Sequence, residues 1–457
     1  MTFRLASLLA TLALLATSPA AAASLDDPVN QWLPSSDGAT WTYEWFDSSY
    51  APQRTREKVT LKKRDGVSLV LDWTTRDQGN GAGTVDSVGS VDYRRTNAGL
   101  VNANWQSNPP PPRFPILCAN PSRCGNSLAS THYLLIWGTR SPVLAEPVLR
   151  DTRWSSVGGA EDDVSSASEY LGTETISVPA FPAGVVAARV RSDITQAGAI
   201  GDPYGSGIRT VWWVYGVGPV KIVFEHAGGS DAPVTQAELM STNLVPKPPP
   251  ADANHFPLNR GDEMTFRWRN SKHLRRASKQ RFTVAEVVNG SARIDVKSLA
   301  GPIKVAGGYV FSTRLDGVTN ISAFTKAVSR AKLPPLGPPS LPRRKRRRFF
   351  TPFDLLAFGF NPILPAYPAA GQSWASRTGS RDFSVFGVTG TSRVLGLRRV
   401  RTPAGTFRAL AIESMLTQPG FRFGSGTRTS YFAPGKGLVK LVFRHRDRST
   451  STVERLR

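Results

Sequence analysis

Aromatic side chains spaced two apart are the first residues able to do chemistry. Trp41, Tyr43 and Trp45 share one face of any extended strand, and Trp212, with Trp213 and Tyr215 beside it, marks a second aromatic stretch. Trp268 and Tyr431 repeat the pattern further along. Such a set suits either a packed core or the wall of a cavity for a lipid or another apolar small molecule. Trp41, Tyr43, Trp45, Trp212, Trp268 and Tyr431 are therefore the candidate ligand-binding residues. Catalysis has less support. The chain has no Gly-x-Ser-x-Gly elbow, no His-Glu-x-x-His, no phosphate loop and no Cys-x-x-Cys. Its histidines, His132, His226, His255, His273 and His445, have no carboxylate at a readable spacing, so no catalytic residue is assigned. Glu161-Asp162-Asp163 lacks the spaced pattern of a calcium loop, and neither a metal nor a cofactor is called for.

A second chemistry is electrostatic. Arg343, Arg344, Lys345, Arg346, Arg347 and Arg348 are adjacent, between the Pro-rich stretch Leu333–Pro342 and Phe349-Phe350. Six neighbouring cations need solvent or anions. Beside an anionic bilayer each is worth about 1 kcal/mol, over a Debye length of about 8 Å. The run reads as a solvated loop, as a contact with anionic lipid or wall polymer, or as a processing site. Charge is also uneven over the 457 residues: residues 1–250 hold 20 basic and 23 acidic side chains (−3) and residues 251–457 hold 37 and 11 (+26), which sum to +23. Asymmetry of this kind bears on partners rather than on fold, and it directs any anionic partner to the second half. No nucleic-acid-binding motif accompanies it, so nucleic acid is not an expected partner.

The elements that must position these residues are written twice. Leu33-Pro34, Gly38, Trp41-Thr42-Tyr43 and Trp45 match Phe256-Pro257, Gly261, Met264-Thr265-Phe266 and Trp268 at a constant offset. Leu134–Gly138 matches Leu355–Gly359, Trp154 matches Trp374, and Pro182-Ala183-Gly184 matches Pro403-Ala404-Gly405. Finally Thr210, Trp212, Gly216, Gly218, Val220-Lys221, Phe224 and His226 match Thr429, Tyr431, Gly435, Gly437, Val439-Lys440, Phe443 and His445. Matches in one order define tandem repeats. The expected division is a leader at 1–23, a first repeat at 24–245, a stiff Pro-rich linker at 246–253, and a second repeat at 254–457 with a basic insertion at 333–350.

Within each repeat the pattern is mainly β. Val439, Leu441 and Phe443 alternate with Lys440 and Arg444, the period of a strand with one covered face, and Asp65-Gly66, Asn289-Gly290 and Asp316-Gly317 supply turns. One short helix per repeat is expected. Thr351 suits an N-cap, Pro352 the first helical position, Asp354 the first turn and Gly359 the stop, and Leu134–Gly138 aligns there in the first copy.

Arg4, the apolar run Leu5–Ala16 and the small residues Ala20–Ala23 read as a secretory signal peptide, so the expected location is exported: periplasmic, envelope-associated or extracellular. In an oxidising compartment Cys118 and Cys124 are expected to pair, which closes a short loop worth about 2 kcal/mol; two free thiols are the alternative.

The opening Phe256-Pro257-Leu258-x-x-Gly261-x-x-Met264-Thr265-Phe266, the turn Thr402-Pro403-Ala404-Gly405-Thr406-Phe407 and Tyr431-Phe432-Ala433-Pro434-Gly435-x-Gly437-Leu438-Val439-Lys440 resemble a family of exported bacterial proteins of unknown function, itself similar to the lipoprotein-carrier (LolA/LolB-like) half-barrels. In the first repeat Tyr215 stands for Pro434 and Pro219 for Leu438, a looser match. The resemblance implies two tandem antiparallel curved-sheet (half-barrel) domains, each wrapping a short helix. The reading that follows is a non-catalytic exported binding protein sheltering a lipid or other apolar ligand in a curved sheet. The alternatives are a peripheral envelope protein holding anionic lipid or wall polymer through its basic half, and a hydrolase with a non-local site.

Overall fold

The computed structural model describes residues 31–456 apart from 35, 66, 78–86, 97, 109–129, 159–163, 198–202, 229–231, 289, 315, 337–347 and 377–386. The expected leader, Cys118, Cys124, Glu161-Asp162-Asp163 and Arg343 through Arg347 lie outside the described residues.

Alternation produces strands throughout. Along β1 (Thr40–Asp47) every second side chain is buried, which puts Trp41, Tyr43 and Trp45 on the inner face and Thr40, Thr42 and Glu44 on the outer one. The first sheet continues with β2 (Ala51–Asp65), β3 (Ser68–Asp77), β4 (Ser87–Thr96), β5 (Gly99–Asn108), β6 (Leu144–Ala145), β7 (Arg153–Val157), β8 (Val164–Val178), β9 (Phe181–Gln196), β10 (Gly207–Val214), β11 (Gly218–His226) and β12 (Val234–Thr242). The second comprises β13 (Glu263–Asn270), β14 (Leu274–Val288), β15 (Ser291–Ala300), β16 (Ile303–Arg314), β17 (Gly317–Ala323), β18 (Lys326–Ser329), β19 (Ser373–Ala375), β20 (Thr389–Thr402), β21 (Gly405–Thr417), β22 (Gly426–Ala433), β23 (Gly437–His445) and β24 (Thr450–Arg455). Helices α1 (Thr131–Ile136) and α2 (Pro352–Ala357) complete the elements.

The two sheets share one plan. The first runs β6-β5-β4-β3-β2-β1-β12-β11-β10-β9-β8-β7; the second runs β17-β16-β15-β14-β13-β24-β23-β22-β21-β20-β19, with β18 also on β16. First and last strands pair at the centre of each, β1 with β12 and β13 with β24. The expected fold class, mainly β with two tandem antiparallel curved sheets and a short helix in each, is what the structure has. Hairpins supply the connections at Asp65, Val288 and Arg314, beside the predicted turn residues.

The edges of the first sheet are drawn together by the stretch after α1. There Val143 N donates to Leu100 O and Asn102 N to Arg140 O, while Ser141 bridges to Val157 of β7. Glycine permits this approach: a Cβ on Gly99, at φ +122°, would meet Leu144 O at 2.1 Å, and one on Gly317, at φ +130°, would meet Leu364 O at 2.1 Å. The result is a nearly closed wall around α1.

Each helix fills its concave face. All six residues of α1 and of α2 are buried. The Phe353 ring lies 4.3 Å from that of Phe282, 5.4 Å from Phe311 and 5.6 Å from Tyr309, and Tyr133 stacks on Trp105, which stacks on Trp73. Full burial of such a ring is worth about 3 kcal/mol, so helix and sheet hold each other.

The segment between the sheets is fastened rather than free. Lys247 N donates to Tyr215 O, Arg150 N donates to Asp252 O, and the Asp252 carboxylate accepts from Arg150 at 3.1 Å and from Tyr170 Oη at 3.0 Å. Across the junction Val148 N donates to Tyr367 Oη at 2.8 Å.

Candidate functional site

The helices are seated by equivalent polar devices. For α2, Thr351 is the N-cap, and its side chain and the Asp354 carboxylate form a reciprocal capping box; Asp354 also accepts from Tyr309 Oη at 2.8 Å. For α1, the buried Glu57 carboxylate accepts from Ser130 Oγ at 2.5 Å and from Thr131 N at 2.7 Å. Burial raises the Glu57 pKa, and these hydrogen bonds oppose the rise. Tyr93 Oη sits 2.8 Å from His132 Nδ1, and burial pulls His132 down to about 3, so its ring is neutral.

At the other helix end sits a buried arginine. Arg209 Nη1 donates to Leu134 O at 2.5 Å and Trp137 O at 2.8 Å, and its Nη2 to Thr139 Oγ1 at 2.7 Å. Arg428 Nη1 donates to Leu355 O at 2.6 Å and Phe358 O at 2.9 Å. Burial brings both down to about 9, still charged at neutral pH. A cation at a helix C-terminus satisfies carbonyls that have no partner within the helix. Sequence reasoning passed over this pair, although each residue directly precedes the aligned Thr210 or Thr429.

His226 and His445 end β11 and β23, as expected, and each joins a hydroxyl. His226 Nδ1 lies 2.5 Å from Tyr204 O and its Nε2 2.7 Å from Thr235 Oγ1, which donates to Asp47 Oδ2 at 2.6 Å. His445 Nδ1 lies 2.5 Å from Phe423 O and its Nε2 2.8 Å from Ser451 Oγ, which Asn270 contacts at 3.0 Å. The first set holds the hydroxyl, imidazole and carboxylate that a hydrolase would use, with the amide of Asn270 in place of the carboxylate in the second, but the wiring differs. The carboxylate holds the hydroxyl, while the second imidazole nitrogen faces a backbone carbonyl. Asp47, Thr235 and Ser451 are 0% exposed, so no substrate can reach the hydroxyls. The groups tie the turn after the first strand to the last strand: Asp47 Oδ1 accepts from Ser49 N and Tyr50 N, and Asn270 Oδ1 from Lys272 N and His273 N.

The candidate aromatic residues separate into two environments. Trp41, Tyr43, Trp45 and Trp268 are core residues; Trp41 Nε1 donates to Val217 O at 2.7 Å and Tyr43 Oη to Pro219 O at 2.8 Å. Trp212 and Tyr431 are half-buried. Trp212 Nε1 donates to Glu174 Oε1 at 2.6 Å with Lys221 over its ring, and Tyr431 packs on a small cluster of Val400, Ala409, Ala433 and Val439. Arg348 is half-buried beside the described start of the α2 segment.

A cavity of about 850 Å³ lies between the repeats and draws on both. Leu149 and Trp154 of the first repeat face Phe256, Leu258, Val318 and Leu364 of the second. Charged pairs rim it, Arg153 with Glu169 at 2.8 Å and Arg191 with Asp193 at 2.8 Å. One wall carries Glu146, whose buried Oε2 has no hydrogen-bond partner; burial raises this carboxyl to about 7, with Arg95 opposing. An orphaned carboxyl oxygen in a wall of mixed apolar and polar residues is a position for a ligand's donor. No sequence signal marks the cavity, because its residues come from loops and strand ends far apart in the chain.

No family model and no curated protein matches the chain. Two solved structures are similar to part of it. One, a candidate lipoprotein from Parabacteroides distasonis, is 12% identical over 47% of this chain and 99% of its own, with a TM-score of 0.25. The other, a candidate exported protein with a YmcC-like fold from Bacteroides fragilis, is 12% identical over 46% and 97%, with a TM-score of 0.23.

Proposed function

We propose that the protein is a non-catalytic, exported binding protein for an amphiphilic small molecule, held in the cleft between the repeats. The observation that carries this reading is the cavity of about 850 Å³, lined by apolar residues such as Leu149, Phe256 and Leu364 together with charged and polar ones, and holding the unpartnered Glu146 oxygen. That volume falls within the span of about 300–1,000 Å³ usual for small-molecule sites. The concave faces are occupied by α1 and α2, which moves the shelter for an apolar ligand from the curved sheets to their junction. The leader-like first residues support export, and the resemblance to lipoprotein carriers supports an apolar tail on the ligand.

The test is displacement of a fluorescent fatty acid from the purified chain, with native mass spectrometry for co-purifying amphiphile. Leu258→Trp, which narrows the cleft, is expected to abolish probe binding. Glu146→Gln is expected to retain the probe and change which head groups compete. Probe binding that Leu258→Trp leaves unchanged overturns the reading.

A further inference from the structure

The second sheet has an outer face unlike its counterpart. Strand β18 lies beside the far end of β16, with Ile303 opposite Ser329 and Ala306 opposite Lys326. Together with β17 it takes the position of β5, broken at Phe324-Thr325. The break is built on small residues: Phe324 N donates to Gly308 O, and a Cβ on Gly307 would meet Phe324 O at 2.3 Å.

On the outward side, Arg281, Lys297, Ala306 and Lys326 are successive cross-strand partners over β14, β15, β16 and β18. Lys279, Lys304 and Arg330 extend the group. Arg281 has an acid, Glu263 at 3.5 Å; Lys279, Lys297, Lys304, Lys326 and Arg330 are exposed and have no ion pair among the described residues. Like charges set directly opposite, such as Arg281 and Lys297, weaken a sheet unless anions answer them. Among these cations stand Val328 (75% exposed), Phe324 (47%) and Leu299 (39%).

The first sheet is the internal control. Tyr93 and Tyr309 are equivalent, each meeting the start of its helix, so Val88 matches Lys304 and Asp72, opposite Ser90, matches Lys297. There Lys62 pairs with Asp72 at 3.1 Å. On the same strand order Asp72 and Val88 stand where Lys297 and Lys304 do, so those two cations are not needed for folding.

We propose that the outer face of β14, β15, β16 and β18 docks on an anionic lipid bilayer. Lys279, Lys297, Lys304, Lys326 and Arg330 contact head-group phosphates, and Phe324 and Val328 enter the interfacial layer. Cations mixed with exposed apolar side chains are the arrangement that binds such an interface; a soluble polyanion answers the charges and leaves the apolar groups in water. This site goes beyond the cleft and is independent of it.

The full chain is sedimented with phosphatidylglycerol–phosphatidylethanolamine vesicles, with phosphatidylcholine vesicles and polyphosphate as separate arms. Binding to the anionic vesicles is expected, weakening with salt. Changing Lys297, Lys304 and Lys326 to Ser is expected to weaken it by about fivefold per residue, roughly a hundredfold in all. Phe324→Ser with Val328→Ser is expected to weaken vesicle binding and leave polyphosphate binding unchanged. A variant with Arg343 to Arg348 changed to Ser separates the basic run from this face. Far-ultraviolet circular dichroism checks that each variant is folded. The proposal is overturned if the triple Lys variant binds vesicles as wild type does, if only the Arg343–Arg348 variant loses binding, or if polyphosphate binds and anionic vesicles do not.

Discussion

Replacing Arg428 by Met tests whether a buried cation holds the second helix in its sheet. The side chain gives up hydrogen bonds of 2.6 and 2.9 Å to Leu355 O and Phe358 O and a marginal one of 3.5 Å to Ser414 Oγ. A hydrogen bond from a charged donor contributes about 1.5–3 kcal/mol, so the gross loss is about 3–6 kcal/mol, with both carbonyls left dry. Against this, Met fills most of the volume and no guanidinium has to be desolvated, which returns a few kcal/mol. The expected net is about 2–4 kcal/mol of destabilisation. Arg209→Met in the first repeat should cost about 1 kcal/mol more, since Arg209 also holds Thr139 Oγ1 at 2.7 Å. Urea unfolding followed by tryptophan fluorescence reads each repeat through its own core, Trp45 and Trp73 in the first and Trp268 in the second. An Arg428→Met protein as stable as wild type would refute the argument: it would mean that ring packing around Phe353 alone seats the helix and that the cation costs as much as it contributes.

The histidines predict an acid-labile fold. Burial holds His132 near 3 and His445 near 4, below the ordinary 6.5, so the folded state keeps them neutral. Above pH 6.5 neither state is protonated and nothing is lost; as pH falls through 6.5 the unfolded chain takes up the proton first, and stability drops until the folded pKa is passed. For His445 the 2.5-unit gap corresponds to about 3 kcal/mol, and the difference in unfolding free energy between wild type and His445→Gln should fall across pH 6.5 to 4. Glu146 has the opposite sign: its carboxyl is raised from 4.5 to about 7, so its stabilising effect is whole below pH 4.5 and lost as pH rises through 7, and Glu146→Gln should be the more stable protein at pH 8. The staples exchange as sets. Asp47→Asn alone removes the acceptor that Tyr204 Oη and Thr235 Oγ1 use, and adding Tyr204→Phe, which copies Asn270 with Phe423, should recover part of the loss, with a coupling of about 0.5–3 kcal/mol in a double-mutant cycle.

Much of the architecture was legible because it rests on local rules applied twice. Period-2 alternation put Trp41, Tyr43 and Trp45 on one face, and Thr351-Pro352 with Asp354 gave the start of α2. The repeat alignment carried that helix to the first copy, where the cap is Ser130 and the carboxylate comes from Glu57 on a distant strand. That substitution marks where legibility stops. An acid three residues into a helix is readable; an acid 73 residues away is not until β2 is folded beside the helix. The aromatic candidates show the same limit, since spacing fixes the face but not whether a ring meets solvent or, as for Trp41 and Tyr43, a carbonyl of a neighbouring strand. The cleft was invisible for a stronger reason. Leu149, Phe256 and Leu364 approach one another only through the packing of one repeat on the other.

The duplication separates what the fold requires from what a partner would. Inside, the members of a hydrogen-bonded set change together: Tyr204, Thr235 and Asp47 become Phe423, Ser451 and Asn270, and each set satisfies its own hydrogen bonds. Buried polar groups demand this, because one unmatched donor or acceptor costs about 1–3 kcal/mol. Outside, no such coupling operates, and the matched positions drift from Asp72 to Lys297 and from Val88 to Lys304 without altering strand order. Lys279, Lys297, Lys304, Lys326 and Arg330, exposed beside Phe324 and Val328 and with Asp295 and Glu286 answering only Arg293, are such unconstrained positions, so binding to vesicles and not the fold decides what they meet.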